Sequence, residues 1–97
     1  MSTPLQASEI ELALKELPKW TCEDGRLNRE MQFGSFKEAL TFIVRVGFEA
    51  EALNQYPEIF CYYDRVALAL TSADAEMSVT QRDVLLAHKI EAVIGAE

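Results

Sequence analysis

The sequence predicts an α+β fold, a four-stranded antiparallel sheet with three helices on one face, in the order α-β-β-α-β-β-α. Three segments carry apolar residues at helical spacing behind polar capping residues. Two pairs of short runs are rich in strand-forming residues, and only a tight turn separates the members of each pair. Such short connections exclude parallel pairing, which needs a long crossover.

Length and composition indicate a single folded unit. The 97 residues are 49% apolar with a mean hydropathy of -0.01, values typical of a globular chain. We therefore expect residues 1–97 to form one domain. No apolar run approaches the roughly 20 residues of a membrane helix. Residues 1–6 lack the basic and apolar regions of a signal peptide, so a cytoplasmic protein is predicted.

Charge and cysteine content argue against several kinds of site. The net charge is -7 and the nine Lys and Arg residues are scattered, which disfavours nucleic-acid binding. Cys22 and Cys61 form no Cys-x-x-Cys pair and are expected to be free thiols. Because His88 is the only histidine, a metal site would have to be assembled from scattered carboxylates. We expect no metal and no cofactor.

The first helix is predicted from its caps. Residues 3–7 look like a loose lead-in, and Ser8-Glu9-Ile10-Glu11 predicts a capping box at the start of the helix. Pro18 ends the helix at or just before Leu17, because the residue before a proline avoids the helical region. One face is apolar, formed by Ile10, Ala13, Leu14 and Leu17.

The first hairpin follows directly. Trp20-Thr21-Cys22-Glu23 has the composition of a short strand. Asp24-Gly25 predicts the turn, because both residues tolerate positive φ. The run from Leu27 to Phe33 alternates between mostly apolar and polar side chains, as expected of a strand with one buried face.

The central helix is the longest predicted element. Ser35 and Glu38 form a Ser-x-x-Glu capping box, and no proline interrupts the segment from Phe36 to Leu53, which is about five turns long. At about 100° per residue, one set of apolar side chains falls on a single inner face. These residues are Ala39, Phe42, Ile43, Val46, Ala50 and Leu53.

The same helix carries a second apolar surface. Leu40, Val44 and Phe48 extend the apolar arc well beyond the stripe that one core requires. Small domains often have extra Leu or Val on a helix, which is the simpler interpretation. We favour burial against another chain, so these three residues form the predicted protein interface.

A second hairpin is predicted after Pro57. Ile59 to Tyr63 is rich in strand-forming residues, and Asp64-Arg65 is the expected turn although neither residue is glycine. The fourth strand alternates large and small side chains from Val66 to Thr71. Residues 72–79 then read as a polar loop.

The last helix begins after Thr80. Thr80 and Asp83, three residues later, predict its N-terminal cap. His88 falls on the side away from the apolar positions, and we expect it to be an ordinary surface residue. The inner face is formed by Leu86, Ile90, Val93 and Ile94.

Motifs along nearly the whole chain carry a resemblance to a known family. They are Leu17-Pro18-x-Trp20, Leu27-x-Arg29-x-Met31-x-Phe33, Ser35-Phe36 through Ala50-Glu51, Pro57-Glu58-x-Phe60, Val66-x-Leu68-x-Leu70-Thr71, and Asp83 with Leu86-Ala87-x-x-Ile90. With the order of the elements, they resemble the pterin-4a-carbinolamine dehydratases. The resemblance implies the α+β fold above and homodimers whose sheets join at their edges. Some members pair further through the central helix, so a homo-oligomer is expected, a dimer or a tetramer.

The resemblance breaks down at the family's active-site positions. The family motif is Glu-Lys-x-x-His-His-Pro, whereas residues 51–57 read Glu-Ala-Leu-Asn-Gln-Tyr-Pro. A third family histidine, which follows Thr, corresponds to Ala73 in Ser72-Ala73-Asp74. The substituted positions are therefore Ala52, Gln55, Tyr56 and Ala73, and the retained ones are Glu51, Pro57 and Asp74.

These substitutions lead to the hypothesis that the chain is not an enzyme. Dehydrating a carbinolamine needs one proton delivered to the leaving hydroxyl and another removed from the ring nitrogen, and histidine does both near neutral pH. Glu51 and Asp74 could form a replacement acid–base pair, although solvated surface carboxylates are the simpler interpretation. Tyr56, Tyr62 and Tyr63 could stack on a flat ring, although tyrosines near a strand usually serve packing or interfaces.

Two functions therefore compete. In the first, the fold has lost catalysis and binds a protein client. The dehydratase-like group with a degenerate site that it most resembles is the Rubisco assembly factors of α-carboxysome bacteria, which implies a chaperone for Rubisco subunits. In the second, the chain is an active or weak pterin-4a-carbinolamine dehydratase, or a pterin binder, in tetrahydrobiopterin recycling.

Overall fold

The computed structural model describes residues 3–95, in the predicted order of helices and strands. The elements are α1 Ala7–Lys15, β1 Thr21–Glu23, β2 Arg26–Gln32, α2 Phe36–Leu53, β3 Glu58–Tyr62, β4 Arg65–Leu70 and α3 Gln81–Gly95. The four strands form one antiparallel sheet, which confirms the predicted α+β fold class. Within residues 3–95, no helix combines the length and apolar character needed to cross a membrane.

The strand order in the sheet is β1-β2-β4-β3, so β4 lies between β2 and β3. The second hairpin pairs with the first through β4, with Leu27 opposite Leu70 and Met31 opposite Val66. This register places the apolar side chains of β2 and β4 on the same face of the sheet. β1 and β3 are left as the edge strands.

The core lies between that sheet face and the helices. The inner face of α2 is buried as predicted, with Phe42 fully covered and its ring centroid 5.0 Å from that of Phe33. Ile43 and Leu53, on the margin of that face, are half-buried against the core. The buried aliphatic and aromatic side chains include Leu27, Ala39, Phe42, Val46, Ala50, Val66, Leu68, Leu70, Leu86, Ala87 and Ile90.

A partly buried ion pair and a hydrogen bond, both to Glu91, lie at one edge of this core. The Glu91 carboxylate accepts hydrogen bonds from the Trp20 indole nitrogen at 2.8 Å and from Arg29 Nε at 2.9 Å. Arg29 lies on the inward face of β2, where the alternation predicts an apolar residue, and Glu91 on α3 is its ion-pair partner. Because a mostly buried cation needs a counter-charge, this contact ties α3 to β2.

Two local predictions were wrong in their details. The second hairpin turns at Tyr63-Asp64, because Tyr62 pairs with Arg65 and the two residues between them form the loop. Tyr63 adopts a left-handed φ of 53°, which a two-residue hairpin loop requires even though tyrosine rarely takes it. Helix α1 is capped by Gln6, whose N–H donates to Glu9 at 2.8 Å, since Ser8 already lies in the first turn.

Candidate functional site

The end of α2 directs two neighbouring side chains to opposite environments. Asn54 takes a left-handed conformation with φ 51°, and the N–H of Gln55 donates to the carbonyl of Ala50 at 3.0 Å, which closes the helix. The chain then turns, so that Gln55 is only 3% exposed whereas Tyr56 is 60% exposed. The two positions where the family has histidines therefore differ: one is in the core and the other is in solvent.

Gln55 belongs to a buried polar cluster around Asp83, which is fully covered. The carboxylate of Asp83 accepts hydrogen bonds from the Gln55 side-chain amide, from Ser72 Oγ at 2.8 Å and from the Thr80 backbone N–H at 2.9 Å. Ser72 and Thr80 are also joined through their hydroxyls at 2.8 Å. These donors offset the cost of removing a carboxyl group from water.

One hydroxyl beside this cluster has no partner. Among residues 3–95, Thr71 Oγ1 is the buried side-chain polar atom without a hydrogen bond. The Thr71 carbonyl accepts from the Gln55 amide at 3.3 Å, so this residue directly adjoins the Asp83 cluster. An unsatisfied buried hydroxyl is costly, so Thr71 is an unfavourable position within the fold beside the Asp83 cluster.

The exposed side of the site is held together by Arg82 on α3. Its guanidinium donates to Asp74 Oδ2 at 3.0 Å and to the Asn54 carbonyl oxygen at 3.1 Å. Asn54 is two residues before Tyr56, so the end of α2 and the loop containing Asp74 are brought to the same place by one side chain. The Asp74 carboxylate and the Arg82 guanidinium thus meet beside the segment that carries the exposed Tyr56. We call these three residues, Tyr56, Asp74 and Arg82, the site mouth.

The loop after β4 is strained where it borders the site. Glu76 and Met77 have consecutive left-handed φ angles of 56° and 60°. The N–H of Met77 donates to the Ser72 carbonyl at 2.9 Å, and the N–H of Ser72 donates to the Ser78 carbonyl at 3.0 Å. Two non-glycine residues in this region each cost energy, so the surrounding hydrogen bonds must hold the loop in place.

The structure places the remaining predicted site residues around this centre. Glu51, Ala52, Tyr56, Ala73 and Asp74 are exposed, Pro57 is half-buried and Gln55 is buried. Glu51 and Asp74 were considered as a replacement acid–base pair. In the structure, Asp74 forms an ion pair with Arg82. Residues 3–95 contain no group of three or more His, Cys, Asp and Glu side chains placed to hold a metal ion.

Sequence reasoning missed three members of this site. Thr80 and Asp83 were interpreted as a helix cap, and Asp83 also as part of a family motif, but the buried cluster that the same Thr-x-x-Asp spacing builds was not predicted. The sequence did not indicate a role for Arg82 in the site, because its partners Asn54 and Asp74 lie 28 and 8 residues away along the chain.

Comparison with known proteins identifies the family. The family model described as "Pterin 4 alpha carbinolamine dehydratase" matches residues 3–93. The chain belongs to this family. A protein of Opitutus terrae named "Putative pterin-4-alpha-carbinolamine dehydratase" is 45% identical over 93 residues, which cover 96% of each chain. A protein of Solibacter usitatus with the same name is 41% identical over 93 residues, covering 96% of this chain and 97% of the relative.

The family's fold is also seen in a solved structure. The crystal structure of a "transcriptional coactivator/pterin dehydratase" from Brucella melitensis superposes with a TM-score of 0.86 at 35% identity. The match covers 93% of this chain and 97% of the Brucella chain. The resemblance to the pterin-4a-carbinolamine dehydratases is thereby confirmed over nearly the full length.

The prediction that the chain is not an enzyme is wrong. The relatives that match across the chain carry the name of an enzyme, and the names of the three proteins above mention neither Rubisco nor a chaperone. The prediction treated histidine as indispensable for moving protons. Tyrosine and carboxylate side chains are also general acids and bases, and both types are present at the site mouth.

Proposed function

We propose that this pterin-4a-carbinolamine dehydratase family member dehydrates a pterin 4a-carbinolamine. The observation that carries the proposal is the contact of Arg82 with both Asp74 and the Asn54 carbonyl, which brings Asp74 to the end of α2 where Tyr56 is exposed. This is the segment in which the family places its catalytic residues, and the family match extends on both sides of it. The activity named for the relatives from Opitutus and Solibacter supports the same substrate class.

The reaction requires one proton to be supplied and one to be removed. The bond between the 4a carbon and its hydroxyl breaks, and the hydroxyl takes up a proton and leaves as water. The neighbouring ring nitrogen loses its proton, and its electron pair forms the new carbon–nitrogen double bond. We assign the first proton to the Tyr56 phenol and removal of the second to the Asp74 carboxylate, with Arg82 holding that carboxylate in place.

Burial around the site mouth supports this assignment of roles. Gln55 is fixed by Asp83 and Ser72, so it provides a rigid wall rather than a proton carrier. The exposed ring of Tyr56 offers a flat apolar surface for stacking.

The proposal predicts a measurable rate above that of the spontaneous reaction. We expect the protein to accelerate carbinolamine dehydration at pH 7 in a stopped-flow assay, and Tyr56→Phe and Asp74→Asn each to lower the catalysed rate by at least about tenfold. Tyr62→Phe is the control, because Tyr62 is also exposed, on β3, but lies outside the site. A wild-type rate equal to the buffer rate at micromolar protein would refute the proposal.

A second candidate function is protein binding through the outer α2 face, which we define as Leu40, Val44 and Phe48. Phe48 is 73% exposed and Val44 is 58% exposed, which is unusual for large apolar side chains on neighbouring turns of one helix. We propose that a second copy of the chain covers this face, as in the oligomers typical of the family. Rubisco subunits are the client that the resemblance to the Rubisco assembly factors suggests, and we propose that they bind the assembled oligomer rather than the covered face.

Val44→Glu tests this face. We expect a folded protein of lower mass in light scattering, because placing a charge in an apolar contact costs several kcal/mol. Leu12→Glu makes the same kind of change at an exposed leucine on α1, and it should leave the mass unchanged. An unchanged mass for both variants would exclude self-association here.

Co-expression of each variant with Rubisco subunits tests the client role. The yield of soluble holoenzyme should then rise with wild type and Leu12→Glu but not with Val44→Glu. Equal yields with and without the protein would exclude the client.

A further inference from the structure

The helix-free face of the sheet carries a groove along β4. Its floor is formed by the two small side chains Ala67 and Ala69, which project away from the core. The register places Glu30 and Phe60 on opposite sides of Ala67. Two adjoining cavities of about 560 and 230 Å³ lie along this line, and both are lined by Glu30, Phe60 and Ala67. The groove is separate from the site mouth, none of whose residues lines it.

The two walls of the groove differ in chemistry. On the β3 side, Phe60 is 63% exposed and Tyr62 is 72% exposed, so an aromatic ridge stands beside the alanine floor. On the β2 side the wall is polar, with Glu30 and Gln32 on alternate positions of the strand. Large aromatic rings left open beside a channel are typical of surfaces that bind another molecule.

Two charged side chains in the groove, Glu30 and Arg65, have no ion-pair partner among residues 3–95. Glu58 at one end is paired with Arg26 at 2.6 Å, and Asp64 at the other accepts from Gln32 at 3.0 Å. By contrast, among residues 3–95 the carboxylate of Glu30 forms no ion pair or hydrogen bond. The guanidinium of Arg65 likewise forms none within the described chain. The groove therefore presents one free negative and one free positive charge.

These charges lie in two successive rows of paired residues that run across β2, β4 and β3, and we call each row a rung. The first rung consists of Glu30, Ala67 and Phe60, so a cation above Ala67 has a carboxylate on one side and an aromatic ring on the other. The second rung, two residues along β4, consists of Gln32, Arg65 and Tyr62. An anion there meets the Arg65 guanidinium beside the Tyr62 phenol. Side chains two residues apart on a strand are about 7 Å apart.

We propose that this groove binds an extended segment of a partner protein with a Lys or Arg and, two residues away, an Asp or Glu. In an extended peptide, residues i and i+2 point to the same side with the same spacing of about 7 Å as the two rungs. The basic side chain lies between Glu30 and Phe60, and the acidic one pairs with Arg65. From Arg65 to Ala69 the floor is about 13 Å long, which accommodates four to five extended residues.

A set of three labelled peptides tests the charge pattern. The probe is fluorescein-labelled Leu-Lys-Leu-Glu-Leu, compared with Leu-Glu-Leu-Glu-Leu and Leu-Lys-Leu-Lys-Leu by fluorescence anisotropy on the full chain at 0.15 M salt. We expect the mixed-charge peptide to bind at least about tenfold more tightly than either of the others, since each of those places one like charge against the groove. Equal binding of all three, or no binding at millimolar protein, would overturn the proposal.

Two variants and a matched control locate the site. Glu30→Gln removes the partner of the basic side chain, and Ala67→Ile fills the floor with a residue that strands favour. Each should weaken binding of the mixed-charge peptide by at least about fivefold, whereas Glu11→Gln on α1 should not. Amide shifts in NMR spectra should appear in β2, β3 and β4. Equal effects of Glu30→Gln and Glu11→Gln, or shifts confined to α2, would contradict binding in the groove.

Discussion

Replacing Tyr56 and Ala73 by histidine is expected to raise the rate of carbinolamine dehydration by about 10²- to 10⁴-fold over the wild-type protein. Both positions are exposed, so the new side chains can be accommodated without rearranging the core. An imidazole titrates near neutral pH and can therefore both donate and accept a proton, whereas a tyrosine phenol ordinarily loses its proton only near pH 10. Stopped-flow rates at pH 7 measure the effect directly.

Gln55 is left unchanged in this variant for a structural reason. Its amide is buried and donates to both Ser72 and Asp83, so an imidazole there would disturb the cluster as well as add a proton carrier. The control carries the same two kinds of substitution away from the site, Tyr62→His and Ala92→His, at positions that are also exposed. Unless the Tyr56→His and Ala73→His protein is faster than this control while equally folded, the placement of the site at the end of α2 is wrong.

Asp83→Ala is expected to lower the free energy of unfolding by on the order of 3–5 kcal/mol. The substitution leaves three buried donors without their acceptor, namely the Gln55 amide, the Ser72 hydroxyl and the Thr80 N–H. Each unsatisfied group costs about 1–3 kcal/mol. The lost bond to the Thr80 N–H is also the Asp83 half of the capping box of α3, whose other half, the Thr80 hydroxyl accepting from the Arg82 N–H, is retained. Urea denaturation followed by circular dichroism measures the loss.

Two further variants show whether the donors cause this loss. Asp83→Asn keeps one carbonyl acceptor in the cluster, so it should destabilise the protein by less than the alanine does. Glu11→Ala removes an exposed carboxylate on α1 and should change stability by no more than about 0.5 kcal/mol. A loss below about 1 kcal/mol for Asp83→Ala would show that water replaces the carboxylate, and the cluster would then be a minor contributor to the fold.

The error about catalysis has a physical origin. The sequence shows that histidines are missing at Gln55, Tyr56 and Ala73, and this observation is correct. It does not show which other proton-transferring groups the fold collects at the same place. Arg82 brings Asp74 to the end of α2, and this contact exists only in the folded chain.

Local rules account for what the sequence alone determined. Asp24-Gly25 predicts its hairpin because positive φ is a property of those two residues, and both adopt it. Ser35 caps α2 as predicted, with its hydroxyl accepting from the Glu38 N–H at 3.1 Å. The inner face of α2 follows from helical spacing, which involves residues only three or four apart. The element order and the fold class follow from such signals together.

Only the tertiary structure decided the rest, because it depends on residues far apart in the chain. The strand order β1-β2-β4-β3 results from packing two hairpins on one core, and neither hairpin encodes which of its edges will pair. Gln55 and Asp83 are 28 residues apart, and their buried contact arises from the way α2 and α3 pack. The groove along β4 likewise depends on a register that joins Glu30 and Phe60 across Ala67. Spacing along the chain carries no signal for such contacts, since their geometry is set by the packing of whole elements.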